Sequence, residues 1–173
     1  MGTTKLFVEQ RFYSVLQELQ QRKIASNINE LNVYGKKLIY NYTNNGYESL
    51  NEKLREGKQD VYEDHLNKAL DKLPNFQEIV YRGIKLTSKQ IAKYQNAERN
   101  DLHVTERAFT SSTSSIATAH LYGNTIFSII SKTGKKIEDI SYYGINSSQN
   151  EKEVLFRSNT KFKVLEVKKK GNF

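Results

Sequence analysis

Three short stretches carry residue types that could do chemistry together. In the first, Tyr81-Arg82-Gly83 ends an extended-looking run that starts at Glu78. An arginine where a buried strand meets a glycine can aim its guanidinium into a cleft, and its fixed fork suits a phosphate or a carboxylate. Taken alone, such an arginine is more often an ordinary surface or core-edge residue. The second is Phe109-Thr110-Ser111-Ser112-Thr113. On an extended segment Phe109, Ser111 and Thr113 share one face and Ser112 takes the other, so hydroxyls there could order a nearby arginine or carboxylate. Ser114 or Ser115 would equally serve as a helix cap before Ile116. The third is Glu151-Lys152-Glu153, opening Val154-Leu155-Phe156. Two carboxylates two places apart on a strand face the same way, about 6.6 Å apart along the chain. Like charges so placed want either solvent or a cation between them. The pair would suit a sugar developing positive charge near one acid and a cationic acceptor near the other. A charged strand edge facing water would have the same sequence.

Other chemistries are poorly supplied. The chain has no cysteine, which removes thiol nucleophiles, cysteine-ligated clusters and disulfide scaffolds. Its histidines, His65, His103 and His120, are widely spaced and form no metal-ligand pattern, so no metal is expected. Neither a Gly-x-Ser-x-Gly elbow nor a Ser-x-x-Lys pair is present to activate a serine. No stretch is long and apolar enough to span a membrane. The net charge of +8 fits a basic solvated surface, a polyanionic partner such as structured RNA, an anionic cofactor, or an acidic protein. Lys161, Lys163 and Lys168 to Lys170 concentrate that charge near the end.

The elements that must position these residues divide into two halves. Residues 1–75 read as helical. Phe7, Phe12, Val15, Leu16 and Leu19 form one stripe. Ser26 or Asn27 caps a second helix with Ile28, Leu31, Tyr34, Leu38 and Tyr42 on its inner face, stopped by Asn44-Asn45-Gly46. A third runs from about Tyr47 to Arg55 and ends at Gly57. A fourth carries Val61, Leu66, Ala69, Leu70 and Leu73 inward before Pro74. Residues 76–173 read as mainly strands: Glu78 to Gly83, the Ala108-Phe109-Thr110 segment, Thr125 to Ile130, Lys136 to Ile140, Glu153 to Phe156 and Lys161 to Val167. Helices are expected from Thr87 to about Tyr94 and from Ile116 to Tyr122, and a polar loop over Ser141 to Asn150. With 173 residues and no linker or repeat, a single α+β domain is expected.

Arg82, the hydroxyl segment after Phe109 and Glu151-x-Glu153 occur in that order, roughly thirty and forty residues apart. Together they resemble the arginine, serine and glutamate-x-glutamate regions of the mono-ADP-ribosyltransferases, in the cholera-toxin-like and clostridial binary-toxin-like branch. Ile116 to Gly123, with Ala119 and Tyr122, is similar to the helix that follows the serine motif there. The usual Ser-Thr-Ser stands here as Ser111-Ser112-Thr113, in the register that keeps the spacing from Phe109 and to Ala119. The resemblance covers Ile79 to Val167.

The resemblance implies a split pair of small antiparallel sheets behind N-terminal helices, with NAD in the cleft. It implies Glu153 as the catalytic acid that holds the ribose and stabilises its charge, and Arg82 as the clamp on the NAD phosphates. Ser111 would hold the cleft floor, with Gly83 and Thr113 also beside NAD. Glu151 would orient the acceptor, with Tyr142 or Tyr143 in the acceptor-recognition loop. The acceptor expected is a protein arginine. Structured RNA is the alternative, and a non-enzymatic RNA-binding or adaptor domain is a reading of a different class. The family setting implies a secreted or injected bacterial effector acting in a target cell's cytoplasm, or a phage-encoded cytoplasmic modifier. A toxin able to poison its maker would call for a dedicated immunity or inhibitor protein.

Overall fold

The computed structural model describes residues 31–167. The expected stripe from Phe7 to Leu19, the cap at Ser26 or Asn27, Ile28 and the lysines 168–170 lie outside the described residues. Helix α1 spans Val33–Asn41 and is capped by Asn32, whose side chain accepts from the Gly35 N–H. The expected stop at Asn44-Asn45-Gly46 does not occur. Tyr42–Gly46 forms a single π-helical turn that feeds directly into α2, Tyr47–Arg55. Gly46 keeps right-handed helical angles. A Cβ there would lie 3.3 Å from the Tyr62 ring, so this glycine serves close packing rather than termination. The turn is secured by side chains, with Thr43 donating to the Tyr40 carbonyl and Asn41 donating to the Tyr62 hydroxyl. Single π turns of this kind re-aim side chains out of the regular helical stripe.

Helix α3, Val61–Asp71, is capped by Asp60 and buries Tyr62, His65, Leu66, Ala69 and Leu70. Val61, expected inward, is 60% exposed because it opens the first turn one position ahead of that stripe. After Pro74 the chain turns to β structure. The main sheet has five strands in the order β4-β1-β3-β6-β5: Thr125–Ile130, Ile79–Ile84, Thr110–Thr113, Glu153–Phe156 and Lys135–Lys136. Its pairings are all antiparallel. A second sheet pairs β2, His103–Glu106, with β7, Thr160–Lys163. This is the expected α+β architecture of helices followed by two antiparallel sheets.

Several boundaries move. Helix α4 runs Ser88–Arg99, a full turn beyond Tyr94, behind a capping box made by Thr87 and Gln90. Strand β2 has no counterpart in the sequence reading. The helix expected to Tyr122 is only α5, Ile116–Ala119, after which the chain turns. Beyond β5, Ile137 to Ile140 closes a turn rather than a strand, with both isoleucines buried in the core. Strand β7 ends at Lys163 instead of reaching Val167.

The two faces of the main sheet do different work. Val80, Val154 and Phe156 pack on one face with Ile129 and with Phe162 of β7. Leu155 faces the other way, into the large core built by α1 to α3 with Phe109, Ile137 and Ile140. All four residues of β6 are buried, so the sheet is covered on both faces at that strand. Alternation then puts Glu153 on the helix-covered face with Leu155. Register pairs Ser111 with Leu155 and Thr113 with Glu153, so Ser111 and Thr113 share that face. Ser112 takes the opposite face, as expected, and donates to the Val154 carbonyl at 2.7 Å.

Candidate active site

A cavity of about 340 Å³ opens where α2 and the π turn approach β1, β3 and the end of α5. That is within the range of small-molecule sites. Arg82, Gly83, Ser111, Thr113, Tyr143, Glu151 and Glu153 all line it. Of the residues singled out in the sequence, Tyr142 alone is not on its wall.

Ser111 is the node. Its backbone carbonyl accepts from Nη1 of Arg82 at 2.6 Å, while its hydroxyl donates to Oε1 of Glu153 at 2.7 Å. Strand alternation places Arg82 with Val80, on the face away from Glu153. The arginine nevertheless reaches the cleft, because β1 and β3 pair at Tyr81 and Thr113 and the guanidinium bonds the edge of β3 at Ser111. The desolvated guanidinium is held below its usual range by burial, partly offset by the nearby Tyr42 and Glu106. Gly83 is required for a steric reason. A Cβ there would come within 1.8 Å of the Ala119 carbonyl oxygen, so only glycine lets α5 lie against β1.

Glu153 is 6% exposed. Burial drives its carboxyl up from 4.5 to about 7. The Ser111 hydroxyl pulls it down, the neighbouring Glu151 pushes it further up, and Ser141 and Arg82 pull it down again. The group therefore changes charge close to neutral pH inside a cleft that already holds a cation.

Glu151 is not on the strand, contrary to the expectation of two acids alternating along one strand face. Lys152 takes a left-handed conformation, φ 48°, which breaks the alternation just before β6 begins. The Glu151 backbone is held on both sides. Its N–H donates to the Tyr143 carbonyl at 2.9 Å, and its carbonyl accepts from the Thr113 hydroxyl at 2.7 Å. Its carboxylate accepts from the Tyr122 hydroxyl. In the loop before it, Tyr143 lines the cavity, whereas Tyr142 packs edge-on between Tyr40 and Tyr143. The backbone N–H of Tyr142 donates to Thr43 of the π turn at 2.8 Å. Tyr142 thus braces the loop from behind.

The sequence reading missed one wall altogether. Tyr42, Thr43, Tyr47, Asn51 and Arg55 all line the cavity. Asn51 donates to the Tyr42 hydroxyl at 2.9 Å and accepts from the Phe109 N–H at 3.1 Å, tying this wall to the start of β3. Burial pushes the Tyr42 hydroxyl far above its ordinary range, so it stays protonated. The signal was present as Tyr47, Asn51 and Arg55 at steps of four, a polar and aromatic stripe on α2. Reading a stop at Gly46 hid its continuation back to Tyr42.

Residues 17–172 match the sequence profile described as ADP-ribosyltransferase exoenzyme. Over 134 residues, 73% of this chain, 39% are identical to a Mycobacterium avium (strain 104) protein, Mav, named as an NAD(+)–arginine ADP-ribosyltransferase. Over 133 residues, again 73% of this chain, 31% are identical to Tre1 of Serratia proteamaculans (strain 568), an NAD(+)–protein-arginine ADP-ribosyltransferase. These matches span 15% and 27% of those relatives' own lengths. Among solved structures, Exoenzyme S from Pseudomonas aeruginosa, bound to carba-NAD and human 14-3-3 protein beta, superposes with a TM-score of 0.71 at 18% identity. That alignment covers 95% of this chain and 80% of that one. The type III effector XopAI from Xanthomonas axonopodis pv. citri gives 0.70 at 20% identity, covering 92% and 71%. At such identities the structural likeness establishes the fold.

Proposed function

The chain belongs to the ADP-ribosyltransferase exoenzyme family, and from that premise we propose that it moves ADP-ribose from NAD to a protein arginine, releasing nicotinamide. The observation that carries this reading is the double use of Ser111, which joins a guanidinium and a buried carboxylate in one cleft. Cleavage breaks the bond between the nicotinamide nitrogen and the ribose and leaves positive charge on the sugar. An ionised Glu153, fixed by the Ser111 hydroxyl in a desolvated site, stabilises that charge where it develops. Arg82 and, from the opposite wall, Arg55 supply cations for the two phosphates. Gly83 and Thr113 complete the wall beside the substrate.

A guanidinium nitrogen of the acceptor then bonds the sugar carbon that nicotinamide has left and gives its proton to the Glu151 carboxylate. Glu151 at the mouth suits that cation, and its setting beside Tyr143 and Tyr122 suits a planar group. Two relatives named for arginine transfer, at 39% and 31% identity, support the same acceptor. We read the biological role as that of a bacterial toxin or effector domain, since the matching family is one of exoenzymes and the relatives at 39% and 31% identity are bacterial.

Incubation with NAD labelled on the adenylate, followed by mass spectrometry of both protein and RNA from a target lysate, tests this directly. Nicotinamide release with label on protein arginine is expected. Label confined to RNA would move the acceptor to nucleic acid, and no nicotinamide release would end the assignment.

A further inference from the structure

The two acids of the cleft repel each other, and the fold does little through the backbone to keep their side chains together. Glu151 lies outside the strand that fixes Glu153. Its backbone is pinned by Tyr143 and Thr113, which leaves the carboxylate itself free to turn toward water. The hydrogen bond recorded for that carboxylate comes from the hydroxyl of Tyr122, reaching across from the turn after α5. We propose that Tyr122 is a positioning residue for acceptor transfer, a tether that holds the Glu151 carboxylate over the cleft against the charge of Glu153.

The anchorage of Tyr122 makes the tether credible. It follows α5 in a turn pressed onto the end of β1 by two glycines. A Cβ on Gly83 would meet the Ala119 carbonyl oxygen at 1.8 Å and the Tyr122 Cβ at 3.2 Å. A Cβ on Gly123 would meet the Ile84 carbonyl carbon at 2.3 Å. The base of the tyrosine is therefore fixed to the strand that carries Arg82, while 53% of the residue remains exposed at the mouth. Its hydroxyl is held above its ordinary range, first by burial and then by Glu151 and Glu153, so it remains a donor at any working pH. A donor to one carboxylate oxygen leaves the other oxygen open, and a guanidinium can use it without displacing the phenol.

This inference rests on the transferase reading, since it concerns how that reaction chooses a side chain over water. Water needs no oriented carboxylate at the mouth, whereas a guanidinium must be placed and relieved of a proton. Loss of the hydroxyl alone, in Tyr122→Phe, should lower the ratio of transfer onto agmatine to NAD hydrolysis by about tenfold.

A second readout does not depend on activity. The groups facing Glu153 are Arg82 from β1, Ser111 from β3, Tyr42 from the π turn, Tyr122 after α5, and Ser141 and Glu151 from the loop before β6. Among them Glu151 raises its pKa by charge. A freed Glu151 swings away, so Tyr122→Phe should shift the titration of Glu153 downward, in the same direction as Glu151→Gln should. The two changes together should shift it no further than Glu151→Gln alone.

The experiment is a titration of the full chain labelled with ¹³C at glutamate carboxyls, in wild type, both single variants and the double variant. Agmatine transfer and NAD hydrolysis are measured beside it, and thermal melts confirm folding. A downward shift with the stated non-additivity upholds the tether. An unmoved Glu153 titration, or shifts that simply add, overturns it. If wild type releases no nicotinamide, the transferase reading fails, and the titration still decides whether the tether exists.

Discussion

At the floor of the cleft Glu153 sits on a strand covered on both faces, 6% exposed and hydrogen-bonded to Ser111. At the mouth Glu151 sits on a loop, half-buried, held by backbone bonds and by one tyrosine. The two are identical residues one position removed from adjacency, and their surroundings separate them completely. Burial leaves Glu153 titrating near neutrality, where a small change in surroundings decides its charge. Glu151 keeps contact with solvent at the cavity wall. One side-chain type occupies two environments because a single left-handed residue, Lys152, breaks the alternation between one acid on the buried strand and the other on the loop.

The hardest test of this contrast is Glu153→Gln. We expect a loss of about 10³-fold or more in both nicotinamide release and transfer, because the amide cannot carry the compensating charge. The same variant should be more stable than wild type at high pH. A carboxyl raised from 4.5 to about 7 is protonated in both folded and unfolded states below pH 4.5, where it costs nothing. Above about pH 7 it is ionised in both, and the folded state bears the desolvation cost, on the order of 3 kcal/mol. Urea melts should therefore show the variant gaining on wild type between pH 4.5 and 7, then holding its lead. A variant both inactive and less stable at pH 8 would mean that Glu153 supports the fold rather than straining it.

The wild-type pH profile gives a somewhat smaller effect. If ionised Glu153 is required, kcat/KM for NAD should rise with pH up to about 7 and then level, falling roughly a hundredfold by pH 5. A limb centred near the ordinary carboxylate value would instead show that the ionisation controlling the rate is not that of buried Glu153. Glu151→Gln probes that outer site. Transfer to agmatine should drop by one to two orders of magnitude and hydrolysis by distinctly less, since water makes fewer demands of the mouth. Equal losses would erase the functional distinction between floor and mouth.

The floor was far more legible in the sequence than the mouth, for a physical reason. Floor residues lie on strands, where period-two alternation translates spacing into direction. Alternation along the sequence sets Ser111 and Thr113 on one face and Ser112 on the other, and the pairing of β3 with β6 then brings Glu153 to the first. Alternation puts Arg82 on the β1 face with Val80, yet its guanidinium reaches the Ser111 carbonyl at 2.6 Å, a contact that spacing does not encode. The helical wall was lost because an Asn-Asn-Gly triplet that normally ends a helix was absorbed by a π turn, stabilised by Asn41, Thr43 and Tyr62. Asn41 and Thr43 are local, but Tyr62 lies 21 residues beyond Asn41, a contact that no local pattern encodes. The tether from Tyr122 to Glu151 spans 29 residues and required the turn that replaced the second half of the expected helix.

The mildest perturbation lies at the junction of the two regions. Lys152 is exposed and acts through its backbone: it is left-handed, its N–H donates to the Asn150 side chain at 2.9 Å and its carbonyl accepts from the Ser114 N–H at 3.1 Å. A left-handed lysine costs about 1 kcal/mol relative to glycine, while glycine adds a comparable entropy to the unfolded chain. Lys152→Gly should therefore change stability by less than about 1 kcal/mol and preserve the ratio of transfer to hydrolysis. Lys152→Val keeps the chain length but adds a β-branch that disfavours φ 48°. It should cost about 1–2 kcal/mol and lower that ratio, because relief of the strain straightens the segment and carries Glu151 toward the alternating strand position. Measured side by side in urea melts and agmatine assays, the pair isolates the backbone turn from the charge. Similar behaviour of both variants would show that the separation of floor and mouth does not depend on this residue.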